Sequence, residues 1–333
     1  MSALIEVRAA SKRFRQHRRF PGILGALKSL VTTEYTEVAA VEDVSFSIAA
    51  GEAVGYLGPN GAGKSTMIKM LTGILVPSGG AVQVLGRTPH LQRMQNARDI
   101  GVVFGQRSQL WWDLPVRDSF ELHKRIYDIP SARYSDNLAH FTALLDLASF
   151  LDRPVRQLSL GQRMRCEMVM ALLHDPRVLF LDEPTIGLDV VAKDAVRRFL
   201  AEINRQRGVT IILTTHDLHD IETICPRLPM VDNARLIFDG ELRNLRSALG
   251  SSRRLTLEFT SDPGPMVLTT AELSADEGLR KHYLVSRQDV SLIDVLTEIG
   301  RDRDLKDIAF EEPNIEEVIR TFYQRRNAGP AVA

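Results

Sequence analysis

The stretch "EAVGYLGPNGAGKST", residues 52 to 66, decides the fold. Its first half reads as a strand buried on both faces, and its second half opens a helix. Between them stand Gly58, then Pro59, Asn60, Gly61 and Ala62, then Gly63, Lys64, Ser65 and Thr66. Glycines at these places let successive backbone N–H groups converge on one anion, and the helix N-terminus near Lys64 adds the positive end of its dipole. This is the pattern of a phosphate-binding loop held between a strand and a helix. In such a loop Lys64 reaches the β- and γ-phosphates of a nucleotide, and Ser65 holds Mg²⁺.

Working outward, apolar runs of strand length recur at 3–7, 40–48, 99–105, 177–182, 210–216 and 235–240. They alternate with helical periods, the mark of an α/β fold with a mostly parallel core sheet and helices on its faces. A mainly helical block, about 108–173 and punctuated by Pro130 and Pro154, reads as a separate lobe. Residues 1–240 are therefore expected to form one nucleotide-binding cassette. A polar linker at 241–250 leads to a small accessory α/β domain, 251–333. There Leu292, Val295, Leu296 and Ile299 follow a Ser291 cap at helical spacing, and Ile315, Val318, Ile319 and Phe322 follow Asn314.

A second stretch, "VLFLDEPTIGLD" at 178–189, places two carboxylates side by side at the mouth of a buried strand. Beside a phosphate loop the pair divides its labour. Asp182 assists Mg²⁺, and Glu183 polarises the water that attacks the terminal phosphate.

Composition narrows the class further. The 42 basic and 42 acidic residues cancel, which argues against a nucleic-acid surface. Cys166 and Cys225 make no disulfide framework and read as reduced, buried thiols. No run approaches the roughly 20 apolar residues that cross a bilayer, and no start combines a basic stretch, an apolar core and a cleavage site. A role at a membrane would need another chain to span it.

With these motifs in order, residues 1 to about 240 resemble the ATP-binding subunit of an ABC transporter. The resemblance rests on "LSLGQ" at 158–162, standing where that family carries its signature motif upstream of "VLFLDEP". It implies that Ser159, Gly161 and Gln162 contact ATP held by the opposite subunit, as does Asp189 in "IGLD". It also implies that Gln106, after the strand ending at Gly105, serves as a γ-phosphate sensor and Mg²⁺ ligand. His216, after "IILTT", would be the switch histidine that touches the γ-phosphate. Leu160 departs from the family's usual glycine. An adenine-stacking ring is expected after the first strand and is matched by Phe14, with Tyr35 as the alternative.

The resemblance implies a peripheral ATPase on the cytoplasmic face of the membrane. It would dimerise, use ATP and Mg²⁺, and drive a separate integral-membrane permease. "FGQRSQLWWDLPVRDSFEL" at 104–122 and the C-terminal domain with "EEPNIEEVI" look like the drug- and polysaccharide-export branch. The rival is a soluble ABC-type ATPase of translation or DNA repair. Those carry two cassettes or a long coiled coil, and this chain shows one uninterrupted cassette without sustained heptads.

Two stretches suggest partner contacts. Between Phe14 and the next strand, residues 15–37 include Phe20, Ile23, Leu24, Leu27 and Val31 at near-helical spacing with Arg18, Arg19 and Lys28. That is a basic amphipathic helix for lipid, for a membrane partner, or for the protein's own sheet. Adjacent Trp111 and Trp112 cannot both face one helical core, so at least one is expected at the surface or an interface.

Overall fold

The computed structural model describes residues 3–17, 35–105, 107–215, 217–248, 253–285, 291–299, 304–311, 319 and 322. The chain forms two compact units, Met1–Gly240 and Glu241–Ala333.

In the first unit a six-stranded sheet runs in the order β5 (Ile100–Phe104), β6 (Val178–Asp182), β7 (Thr210–Thr215), β3 (Ala53–Leu57), β8 (Arg227–Asp232), β9 (Arg235–Glu241). The pairs from β5 through β8 are parallel. β3 and β7 are buried at every residue, as strands covered on both faces must be. The turn from β8 into β9 is Asn233–Ala234, both with positive φ of 46° and 65°. Two left-handed residues match the twist of a tight hairpin.

A second, antiparallel sheet orders β2 (Tyr35–Ala49), β1 (Ala3–His17) and β4 (Gly79–Val84). Its apolar face, with Ile5, Val7, Val44, Ile48, Val82 and Val84, packs with Met67, Ile68 and Leu71 of helix α1 (Lys64–Leu71). β1 and β2 are longer than their apolar cores suggest, since the ladder continues through Phe14↔Val38, Arg15↔Glu37 and His17↔Tyr35. The polar flanks carried no alternating pattern, yet main-chain pairing extends them. The amphipathic helix expected around 18–31 lies outside the described residues.

Sequence reading passed over β4 and β8. β4 opens on Gly79–Gly80, and Gly80 sits at φ +72° against the Ala9 carbonyl, 2.2 Å from where a Cβ would be. β8 contains Pro229, which cannot donate to a ladder and so disguises the strand.

Helix α2 (Arg93–Asp99) precedes β5. The lobe after β5 holds α3 (Val116–Ile126), α4 (Ser131–Leu144) and α5 (Leu160–Leu172). A buried histidine pair ties this lobe to the main sheet. His174 Nε2 lies 2.9 Å from the Ile100 carbonyl oxygen, which can only accept, so Nε2 carries the proton. His174 Nδ1 therefore accepts from His123 Nε2 at 3.3 Å, and Tyr127 stacks on both rings at 4.2 Å. Burial, reinforced by the neighbouring ring, pushes His123 down to about 3.

Helices α6 (Val190–Arg207) and α7 (Leu218–Ile224) complete the first unit. The second unit, which includes α8 (Leu242–Ala248), is built on an antiparallel sheet ordered β11 (Glu272–Asp276), β12 (Arg280–Val285), β10 (Arg253–Phe259), β13 (Leu305–Glu311). Leu255, Leu257, Phe259 and Tyr283 pack there with Val295 and Ile299 of α9 (Leu292–Ile299). The helix expected behind Asn314 lies outside the described residues except for Ile319 and Phe322, both helical.

Candidate functional site

The loop between β3 and α1 is shaped by close approaches that only glycine permits. A Cβ on Gly58 would lie 2.5 Å from the Val231 carbonyl oxygen. One on Gly63, which caps α1 at φ +97°, would lie 2.0 Å from that of Ala40. Gly61 also has a left-handed backbone, φ +85°, and faces open space.

Lys64 is 6% exposed, and its Nζ donates to the carbonyls of Gly58 at 2.8 Å and Pro59 at 3.2 Å. Glu183 Oε1 stands 3.9 Å away. Burial lowers the lysine's pKa, while Glu183 and then Asp182 hold the charge on it. An ammonium satisfied by carbonyls and a distant carboxylate is poised for a stronger anionic partner, as a phosphate would be.

Asp182 ends the otherwise buried β6, and its Oδ1 accepts from Ser65 Oγ at 3.0 Å and from Thr214 Oγ1 at 2.6 Å. Glu183, next in the chain, has φ +53°, so the strand does not simply continue. Its N–H donates to the Thr214 carbonyl at 3.0 Å and to Thr214 Oγ1 at 3.2 Å. A Cβ on Gly105 would come within 2.3 Å of the Glu183 carbonyl oxygen. The carboxylate pair is thereby split. Asp182 meets Ser65, and Glu183 meets Lys64.

Ser65, Asp182 and Glu183 share a cavity of about 490 Å³ lined also by Asn60, Gly61, Lys69, Ile74, Phe104, Gly105, Arg107 and Ile186. The Ser65 hydroxyl and Asp182 carboxylate are oxygen donors of the kind Mg²⁺ takes. Their 3.0 Å separation matches the roughly 2.9 Å edge of an octahedron with Mg–O near 2.05 Å. The residues present therefore fit a magnesium ion. Thr214, Lys69 and Arg107 were not singled out from sequence. For Thr214 the signal was there, in a polar residue at the end of the fully buried run "TIILTT".

Phe14, Tyr35, Ser159, Gly161, Gln162 and Asp189 are not among the residues lining this cavity. Phe14 is 39% exposed on the β1–β2 hairpin, with Lys12 Nζ 5.3 Å from its ring centre. Tyr35, 46% exposed, pairs with His17 farther along the same hairpin, under the Arg15 guanidinium. Gln106 and His216 lie outside the described residues.

Ser159 caps α5 in a reciprocal box. The Gln162 N–H donates to Ser159 Oγ at 3.2 Å, and the Ser159 N–H donates to Gln162 Oε1 at 3.0 Å. A Cβ on Gly161 would meet that of Ala192 at 2.9 Å, so the glycine also lets α5 approach α6. Asp189 caps α6, accepting from the Ala192 N–H at 2.8 Å. Leu160 is partly exposed, and Val190 and Val191, just past Asp189, are 80% and 77% exposed.

Beneath the site lies a buried polar node. Asp220 is fully buried and accepts from Thr185 Oγ1 at 2.6 Å, Thr215 Oγ1 at 2.9 Å and Arg197 Nε at 2.6 Å. It joins the turn after Glu183 to the end of β7. Sequence reading missed it because Asp220 and its three partners come from separate elements.

Comparison with known proteins places this arrangement. Residues 41–186 match the family model described as ABC transporter. Over 300 residues the chain is 31% identical to the methionine import ATP-binding protein MetN 2 of Bacillus licheniformis, spanning 89% of this chain and 83% of that one. Over 215 residues it is 36% identical to the Nod factor export ATP-binding protein I of Ralstonia nicotianae, spanning 63% of this chain and 65% of that one. A solved ATP-binding subunit of an ABC transporter superposes with a TM-score of 0.61 at 27% identity, over 74% of this chain and 93% of that structure. Among the described residues no helix is long and apolar enough to cross a membrane.

Proposed function

Since the chain belongs to the family of ABC transporter ATP-binding proteins, ATPases coupled to transport, we propose that it is the peripheral engine of an exporter. It works as a dimer on the cytoplasmic face of a separate permease. The observation that carries the reading is the convergence of Ser65, Asp182 and Glu183 on one cavity at the ends of β3 and β6, with the Lys64 ammonium 3.9 Å from Glu183. Lys64 exchanges its carbonyl partners for the terminal phosphates of ATP. Ser65 and Asp182 would hold Mg²⁺, with Gln106 as a further ligand, and a bound ion would supply positive charge against the phosphate oxygens. Glu183 takes the proton of the attacking water, and His216 contacts the γ-phosphate. Phe14 stacks on the adenine.

The second half of each site comes from the partner copy. Ser159, Gly161 and Gln162 offer the N-terminus of α5 to that nucleotide, and Asp189 lies beside it. The exposed Val190 and Val191 adjoin Asp189, apolar area that pairing of two copies would cover. Export is supported by the likeness of "FGQRSQLWWDLPVRDSFEL" to the export branch. A methionine import protein of Geobacillus kaustophilus is as similar as the Nod factor export protein, 36% identical over 209 residues, so identity alone does not carry the direction.

The test is Glu183→Gln. ATP binding should persist, hydrolysis should fall by about two to four orders of magnitude, and an ATP-bound dimer should accumulate. Near-normal turnover would remove Glu183 from the mechanism. Direction is read by reconstituting the cassette with its permease in vesicles, where ATP on the cassette side should drive cargo away from that side.

A further inference from the structure

Helix α5 carries two side chains that the nucleotide chemistry does not use. Glu167 lies on α5 and is 3% exposed. Its carboxylate accepts from Ser108 Oγ, from the Gln109 N–H at 3.0 and 3.1 Å, and from the Leu110 N–H at 3.5 Å. One turn toward the N-terminus, on the same helical face, the Arg163 guanidinium lies 5.9 Å from the centre of the Trp112 ring. Both thus fasten the segment 108–112 to α5, the helix that Ser159 caps.

The far side of that segment is open, since Trp111 and Trp112 are each 53% exposed. Its backbone is pinned at the other end, where the Trp111 N–H donates to the buried Ser119 hydroxyl at 3.2 Å. A carboxylate this buried that takes several N–H and O–H donors at once resists displacement, because losing them would leave its own charge desolvated and unpaired.

We infer that Glu167 is a positioning residue that makes the 108–112 segment and α5 move as one body, so that engagement of Ser159 with the opposed nucleotide is delivered to the surface at Trp111 and Trp112. This rests on the proposed contact of Ser159 in trans. The alternative is that Glu167 merely stabilises the lobe.

The two tryptophans are the only ones in the chain, so Trp111→Phe leaves Trp112 as sole reporter. In a full-length chain also carrying Glu183→Gln, Mg-ATP should produce a dimer by light scattering and shift Trp112 emission. Adding Glu167→Gln should preserve nucleotide binding and the dimer but abolish the emission shift. Ser108→Ala removes one donor from the same clamp without touching Trp112 or Arg163. It should weaken the shift in the same sense, and it carries the test if Glu167→Gln does not fold. A dimer whose shift is unchanged by both substitutions, or a dimer with no shift before they are made, overturns the proposal and leaves the trans site standing. Failure of the parent chain to dimerise with ATP would instead overturn the trans reading on which it rests.

Discussion

Replacing Asp220 by asparagine tests whether the node beneath the site has the energetic weight its burial implies. Arg197 is 5% exposed and its Nε is 2.6 Å from Asp220 Oδ1. Stripping the charge from one partner of a buried pair costs about 3 to 5 kcal/mol, because the other is left uncompensated. Here the lower end applies, since Arg197 also reaches Asp217 at 3.0 Å. For a unit of this size about 3 kcal/mol corresponds to a drop in Tm of roughly 6 to 12 °C. Asparagine's single oxygen can keep both threonine hydroxyls, which share Oδ2, while its NH₂ then faces the Arg197 N–H, so the loss falls on the arginine contact. Arg197→Met should therefore rescue part of it, and the double variant should melt above the sum of the single effects. The assay is thermal unfolding followed by circular dichroism, with ATPase rates on each variant. Because Thr185 lies two residues beyond Glu183, turnover should fall further than the nucleotide Kd weakens. An Asp220→Asn chain melting within about 2 °C of the parent, with normal turnover, would refute the reasoning.

Other outcomes follow from the same geometry. Mixing Ser159→Arg protomers with Lys64→Ala protomers should restore one complete site per heterodimer, and basal hydrolysis above the sum of the separate variants is the readout. At least one of Trp111→Ala and Trp112→Ala should keep the parent Tm and basal ATPase while co-purifying with the permease more than about tenfold less well, as loss of an interface anchor near 2 kcal/mol requires. If both variants melt early and lose ATPase, the pair belongs to the core. His123 is held down to about 3 against an ordinary value of 6.5, so between those values the unfolded chain binds a proton that the folded one refuses. Stability should therefore fall as pH drops below 6.5, by up to about 1.4 kcal/mol per pH unit from this group. Tm measured at pH 7 and pH 5 should show a smaller loss in His123→Phe.

The sequence by itself determined the phosphate loop, the carboxylate pair and the mostly parallel sheet. Each is a local pattern whose physics needs only neighbours in the chain: glycines before a helix start, or charges closing an apolar run. It marked Ser159 and Gln162 only through the family resemblance, their reciprocal helix cap coming from the structure. What it could not supply was any relation between distant segments. The strand reading stopped β1 at residue 7 and began β2 at residue 40, because their polar flanks have no apolar period. Only cross-strand pairing carries the hairpin on to His17 and Tyr35. The glycine at 63 was legible as a loop residue, while its need for the Ala40 carbonyl was not. Asp220 and Glu167 read as ordinary acidic residues on helices. Folding buries each against donors from other elements, and burial without water is what turns an exposed, interchangeable charge into a fixed link.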